Sequence, residues 1–370
     1  MNSRNRSQRF SVVTLEGSHY EMGRQHGSQC RELIRDLVSK FDDIILGGSD
    51  REKIRRVARD AVPFVSDAAP ELIEEVQGIA DGAGVTFDDI FRINCSVELF
   101  ALRGCVEGQT VNTVPTTPDG CSSFALKGKE GTLVAWNMDW WRLWLPYIVL
   151  LHGKPDDSPH FFAFAFAGCV GRPGMSEHVA VSANYLPYRG GMAPGVPDEW
   201  DGPGVPYNFL IRIMLKQQST EAAVAAVAGV KRMACLNYTI GDTSGDLRCI
   251  ETTPRDCAEL RPDGDFITHA NSYLTAKFDG IPQAELEARD KRTHDAREQL
   301  RRAPRPLDRH VLASVQTSHF PGDTTGVCVH RKLQDKDGIT LLSFTADLSA
   351  GTMWASCGPP CEHEFLAYRL

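Results

Sequence analysis

The stretch Asp119-Gly120-Cys121-Ser122-Ser123-Phe124-Ala125-Leu126 limits the possible folds more than any other part of this chain. Phe124 and Leu126 before it, and Leu133 and Ala135 after it, flank the segment Lys127-Gly128-Lys129-Glu130-Gly131. Short apolar runs on either side of a charged, Gly-containing turn predict a β-hairpin. Eighteen residues after Cys121 the return strand carries Asn137-Met138-Asp139, and pairing of the two strands brings the Asp139 carboxylate back toward the thiol. A thiol, a carboxylate and a glycine then share one small piece of sheet.

Cys121 has competitors, because Gly-Cys also occurs at Gly104-Cys105 and Gly168-Cys169, and a free Cys is most often a small buried apolar residue. Its context sets it apart: Pro118-Asp119-Gly120 makes a turn before it, a strand starts at it, and a polar Asn-x-Asp lies on the paired strand. From this local pattern, a chemical and a structural role are equally supported.

With 370 residues the chain has the length for one large domain or two medium ones. Hydrophobic residues at 42% and charged residues at 24% match a globular protein. A formal net charge of -8 advertises no basic surface, which argues against nucleic acid and anionic membranes as partners. The eleven Cys have no regular spacing, and Met1 to Arg6 run straight into polar sequence. Reduced thiols in a cytoplasmic setting are the expectation. The longest apolar run, Phe161 to Val170, is about half of the ~20 residues a membrane-spanning helix needs and reads as a buried strand. The terminal Tyr368-Arg369-Leu370 resembles a peroxisomal tail, but Tyr in place of a small residue argues against that address.

Along the chain, Val12, Val13 and Leu15 predict a first strand, and Gly17 through Gly27 a turn entering a helix. Apolar residues from Leu33 to Ile45 recur at helical spacing. A further helix carries Leu72, Ile73, Val76 and Ile79 and stops at Gly82 and Gly84; Thr86 is a suitable N-cap for the next. Leu102 to Gly120 lacks periodicity and reads as a linker or surface loop. Strands are expected at 147–151, 161–166, 179–181, 237–240, 247–251, 266–269 and 339–345, and helices at 205–215, 222–230 and 284–300. The Gly- and Pro-rich segment Arg189 to Gly204 is either a lid or a plain surface excursion. Without a clear second linker, a single domain covering 1–370 is preferred, an α+β layered sandwich.

Taken together the motifs resemble the isopenicillin-N acyltransferase (acyl-CoA:6-aminopenicillanic acid acyltransferase) family of cysteine N-terminal-nucleophile (Ntn) hydrolases. The resemblance takes in Gly17-x-x-x-Glu21-x-Gly23-x-x-x-Gly27, Asp119-Gly120-Cys121, Asn137-x-Asp139, Val179-Ala180-Val181 with Asn184, and Gly204-Val205-Pro206. It continues through Glu251-Thr252-Thr253-Pro254, His269-Ala270-Asn271, Thr352-Met353-Trp354 and Pro360-Cys361-Glu362. It implies a four-layer αββα sandwich and self-cleavage between Gly120 and Cys121, giving an α chain 1–120 and a β chain 121–370 that stay associated. It also implies that Cys121 is the nucleophile and its freed α-amino group the base. Asp139 becomes a polar partner, and Asn271 with the backbone N-H of Tyr185, next to Asn184, the oxyanion holders.

An α-amino group, with a pKa of about 7.7 to 8.0, is a suitable acceptor for the thiol proton, so no His and no cofactor are required. Trp140 and Trp141, beside Asp139, and Thr253, which keeps a hydroxyl where members often have Ser, are assigned to substrate binding. The Trp residues serve equally well as core. A Ser-x-x-Arg motif of the family's late helix stands here as Arg289-x-x-Arg292.

Cys357-x-x-x-Cys361-x-His363 is the best metal-like spacing, but no second pair accompanies it and Pro359-Pro360 interrupts it. It reads as a C-terminal loop, and no metal is expected. The resulting expectation is an amidohydrolase or acyltransferase for a small acyl amide or acyl-CoA. The alternative is an unprocessed, non-catalytic binding protein of the same fold.

Overall fold

The hairpin forms: β2 (Ser122–Gly128) pairs antiparallel with β3 (Gly131–Trp141), with Ser122 opposite Asn137 and Gly128 opposite Gly131. The protein is described from a computed structural model over residues 7–46, 51–100, 120–186, 202–279, 290–333 and 336–370. The linker at 102–119, most of the segment Arg189 to Gly204, and the start of the helix expected at 284–300 lie outside the described residues.

Two sheets are built around the hairpin. One holds β11 (Phe266–His269), β2, β3, β13 (Lys336–Asp347), β14 (Thr352–Cys357) and β15 (Leu366–Arg369) in that order, with β12 (His330–Leu333) beside β13. The other begins with β1 (Ser11–Gly17), which pairs parallel with β4 (Ile148–Pro155). It continues through β5 (Phe161–Phe166), β6 (Gly174–Ser176), β7 (Val179–Tyr185), β8 (Leu236–Asp242), β9 (Leu247–Thr252) and β10 (Cys257–Leu260). Strands β2 and β3 lie against β7 and β8, so the sheets face each other. Helices Tyr207–Leu215 and Thr220–Ala228 cover the outer side of the second sheet, and helices Lys291–Arg302 and Arg309–Gln316 that of the first. The layers run helix, sheet, sheet, helix: the αββα sandwich. All six residues of Phe161–Phe166 are buried, as a strand covered on both faces requires.

The N-terminal helices form as the spacing predicts, with one correction. Helix α1 (His19–Gln29) starts directly after Ser18, whose hydroxyl accepts from Glu21 N-H while the Glu21 carboxylate accepts from Ser18 N-H. Gly23 and Gly27 are therefore inside a helix and not in an entry turn. Their role is closeness: a Cβ on Gly23 would stand 2.1 Å from Glu75 O, and one on Gly27 2.2 Å from Ile79 O. Both carbonyls belong to α5 (Pro70–Ala83), which meets α1 through its own Gly78 and Gly82. Helix α2 (Arg31–Leu46) carries the periodic face, α5 is closed by left-handed Gly84 (φ +69°), and Thr86 caps α6 (Phe87–Asn94). Helices α3 (Arg51–Arg59) and α4 (Val62–Ala68) are too short for periodicity to announce them.

Candidate active site

Strand alternation in β3 sorts its side chains onto two faces. Trp136, Met138 and Trp140 turn into the space between the sheets, where they line a cavity. Asn137 and Asp139 point the other way, toward the outer helices: Asn137 Nδ2 donates to the Gln316 and Val327 carbonyls, and Asp139 meets Arg292. Cys121 stands at the head of β2 and also lines the cavity. The Asp139 N-H reaches its thiol. Burial, reinforced by the Asp139 charge, pushes the Cys121 thiol up to about 12, against the lowering influence of that N-H and of the Arg292 and Arg172 guanidiniums.

Asp139 is fully buried and held from two sides. Its Oδ1 accepts from Thr340 Oγ1 at 2.6 Å, and Arg292 Nη1 lies 3.2 Å from its Oδ2 and 3.3 Å from the Cys121 carbonyl oxygen. Thr340 owes its position to a bulge in β13, where the register against β3 shifts between Thr340 and Leu342. Arg292 lies on helix Lys291–Arg302, so the outer helical layer reaches through to the carbonyl of the thiol-bearing residue.

Gly120 precedes the thiol in the left-handed region, φ +70°, and a Cβ there would fall 1.9 Å from Asn271 Oδ1. Any side chain there would sit in a strained backbone and force Asn271 to move. Asn271 follows β11, and its Nδ2 donates to the Tyr185 carbonyl at 2.7 Å. The loop carrying it is anchored by fully buried Glu251, whose carboxylate accepts from Leu274 N-H, Thr275 N-H and Thr275 Oγ1 and lies 2.9 Å from His269 Nε2.

The structure brings Cys121, Gly120, Asp139, Asn271 and Tyr185 together around the head of β2; Asn184, Trp141 and Thr253 take other positions. Asn184 is a buried brace: its Oδ1 accepts from Ser123 Oγ and its Nδ2 donates to the His269 carbonyl, joining β7 to β2 and β11. Trp140 lines the cavity, whereas Trp141 packs on Phe100 with ring centroids 5.3 Å apart. Thr253, expected at the substrate, instead closes the turn after β9, where its Oγ1 accepts from Asp256 N-H and its carbonyl from Arg232 Nε. His363 Nδ1 sits 3.1 Å from the Pro359 carbonyl, so the Cys357, Cys361, His363 trio does not gather; Cys361 meets Cys328 and His330.

The cavity is lined by Val97, Phe100, Trp136, Trp144, Phe166 and Tyr207 among others and holds about 50 Å³ of free volume. That is room for a few waters on the same measure, at roughly 10–15 Å³ each. Among the described residues, Arg172 is the charged group in this wall; its guanidinium lies 4.3 Å over the Phe166 ring, and its buried Nε has no hydrogen-bond partner. On the other side of Asn271 and Arg292 lies a wider polar groove of about 380 Å³, lined also by Ser272, Asp290, Lys291 and Asp323. Sequence reading did not single out Arg172 or Thr340. Arg292 stood out only as half of Arg289-x-x-Arg292, and its late-helix position was the one available signal.

Four layers with a polar site at the head of the paired strands define the Ntn class of hydrolases and acyltransferases. Within it, the profile described as "Acyl-coenzyme A:6-aminopenicillanic acid acyl-transferase" matches residues 127–361, and the chain belongs to that family. The match begins after Cys121. Among curated relatives, the β-alanyl-dopamine/carcinine hydrolase of Drosophila melanogaster is 25% identical, covering 97% of this chain and 95% of its own. The acid ceramidase of Rattus norvegicus is 25% identical over 62% of this chain and 60% of its own. Among solved structures, the Caenorhabditis elegans ortholog of N-acylethanolamine-hydrolyzing acid amidase has a TM-score of 0.45 at 14% identity, over 62% of this chain and 93% of that one. Among the described residues, no helix is long and apolar enough to cross a membrane.

Proposed function

We propose that this protein is a self-processing cysteine amidohydrolase that cuts its own Gly120–Cys121 bond and then cleaves small N-acyl amides at Cys121. The observation that carries the reading is the Gly120–Cys121 junction: a glycine in a conformation other residues avoid, pressed against Asn271, directly before a thiol that faces a cavity. In the first step the Cys121 sulfur attacks the Gly120 carbonyl carbon, the thiol proton passes to the departing amide nitrogen, the C–N bond breaks, and the acyl group moves to sulfur as a thioester. Water then releases the Gly120 carboxylate and the thiol. The α-amino group left behind has a pKa of about 7.7 to 8.0 and takes the thiol proton in each later turnover.

Asn271 donates one amide N-H to Tyr185 O; its second is available to a developing oxyanion, a contribution of about 2.7 to 4 kcal/mol per donor in comparable sites. The backbone N-H of Tyr185 is the companion donor in this reading. Arg292, bridging the Cys121 carbonyl and Asp139, fixes the residue that becomes the new N-terminus. The acyl group enters the apolar cavity and the amine side leaves through the polar groove. Arg172 in the cavity wall favours a neutral or anionic acyl group there.

Acyl transfer to an amine is the second reading, favoured by the polar groove, where an amine acceptor has room to compete with water. Retention of the fold without processing, as a binding protein, is the third. Intact mass of purified wild type and Cys121→Ala, followed by a panel of N-acyl amides and acyl-CoA with and without an amine acceptor, separates them. Processing at Gly120, absent from the variant, and an acyl adduct on Cys121 are expected. An uncut wild-type chain, or turnover unchanged by Cys121→Ala, would overturn the reading.

A further inference from the structure

We infer that His319, Cys328, His330 and Cys361 form a structural zinc site. One ligand atom from each of the four lies within 4.8 Å of all the others. They come from three separate segments: His319 follows helix Arg309–Gln316, Cys328 and His330 flank Val329 at the entry to β12, and Cys361 lies between β14 and β15. Zinc takes thiolate at about 2.3 Å and imidazole at about 2.0–2.1 Å in a tetrahedron. Those bonds imply edges of about 3.8 Å between sulfurs and about 3.6 Å between sulfur and nitrogen.

The observed edges are 3.6 Å for Cys328 Sγ to Cys361 Sγ, 3.7 Å for Cys328 Sγ to His330 Nε2, and 2.9 Å for His330 Nε2 to Cys361 Sγ. These three atoms form a metal-sized triangle contracted along one edge, and the fourth, from His319, lies within 4.8 Å of each. The His319 ring lies 5.4 Å from the His330 ring, and its buried Nε2 has no hydrogen-bond partner. Glu362 Oε1 stands 3.6 Å from His330 Nδ1, beyond hydrogen-bond distance but on the side where a carboxylate can orient a histidine ligating through its other nitrogen.

A disulfide between Cys328 and Cys361 is the competing chemistry. It requires the sulfurs to close to about 2.05 Å, and it gives two imidazoles no reason to converge on the same point. Zinc would bind two thiolates and two neutral imidazoles, releasing the two thiol protons to solvent. The site would tie the loop after helix Arg309–Gln316 and the β14–β15 connection to β12. It also reaches the catalytic region: Val329, between two ligands, exchanges hydrogen bonds with Thr340, whose Oγ1 holds Asp139.

The test is metal analysis of protein expressed in zinc-supplemented medium and dialysed without chelator, beside Cys361→Ser, His319→Ala and Glu362→Gln. About one zinc per chain is expected in wild type, and less than about a tenth of that in Cys361→Ser. In competition with a chromophoric chelator, Glu362→Gln should weaken zinc about tenfold. Should Cys361→Ser fail to fold, cobalt(II) substituted into wild type must give the visible absorption of a tetrahedral, thiolate-bound ion, reduced in His319→Ala. Wild type without stoichiometric zinc, zinc retained in full by folded Cys361→Ser, or a Cys328–Cys361 cross-linked peptide in the non-reduced digest would each overturn the site.

Discussion

At the scale of single residues, the decisive pair is Gly120 and Cys121. Gly120→Ala puts a methyl 1.9 Å from Asn271 Oδ1 in a left-handed backbone, and must displace either the Gly120 carbonyl or Asn271. The variant should remain folded but accumulate as precursor, seen as one uncut band where wild type gives two; efficient cleavage would remove Gly120 geometry from the argument. The pH behaviour follows from the thiol. In an uncut chain burial pushes its pKa up to about 12, so at neutral pH the thiolate is a very small minority. Since the thiolate is the reactive form, alkylation of Cys121 in Gly120→Ala should accelerate about tenfold per pH unit through the neutral range. If the chain is cut as proposed, the α-amino group would take the proton, and kcat/KM should climb with pH and level off above about 8. A profile flat from pH 5 upward would exclude the amine as base.

At the scale of elements, the β3–β13 bulge and helix Lys291–Arg302 act on the site through Asp139. Asp139→Asn keeps the shape and the Thr340 contact but leaves the Arg292 guanidinium, about one-tenth exposed, without its counter-charge. Loss of a partner in a buried ion pair costs about 3 kcal/mol, and denaturant unfolding of Asp139→Asn should show a loss of that order. The α1–α5 contact makes a separate prediction. Gly23→Ala drives a methyl to 2.1 Å from the Glu75 carbonyl oxygen, which is backbone and cannot turn aside. A loss of about 3 kcal/mol in unfolding free energy, with no change in cleavage at Gly120, is expected. A neutral substitution would mean that the two helices separate easily.

Such elements also mark what the sequence could reveal. The hairpin, the capped helices and the buried strand Phe161–Phe166 were legible because hydrophobic period, turn residues and caps are local signals. Gly23 and Gly27 were visible as a motif but misread as a turn, because their constraint is another helix 50 residues away. Arg172, Thr340 and the Cys328-x-His330 pair were not legible as site residues. Each becomes informative only when the sheet topology sets it against residues from distant strands, and Asn184 and Thr253 drew attention for chemistry while serving as a brace and a turn.

At the scale of the whole molecule, cleavage at Gly120 would leave two chains that cannot easily part. Strand β1 belongs to the first piece and β4 to the second, and they pair in parallel over seven residues from Ser11–Val149 to Gly17–Pro155. Phe10 packs edge-on against Phe164 at 5.0 Å, Phe91 stacks on Phe209 at 5.3 Å, and Phe100 meets Trp140 at 4.8 Å. Glu75 of the first piece pairs with Arg212 of the second at 2.7 and 3.0 Å, both fully buried, so separation would expose a matched ion pair together with the apolar surface around it. Each of the three aromatic anchors contributes about 1.5–3 kcal/mol of burial, in addition to the seven-residue strand pairing. The processed protein should therefore elute from a sizing column as one species of the precursor's size. It should show two bands only after denaturation, and unfold in a single transition in which both pieces are lost together. Elution of a free N-terminal piece under native conditions, or two separate unfolding transitions, would show that the interface across β1 and β4 does not hold the cut molecule together.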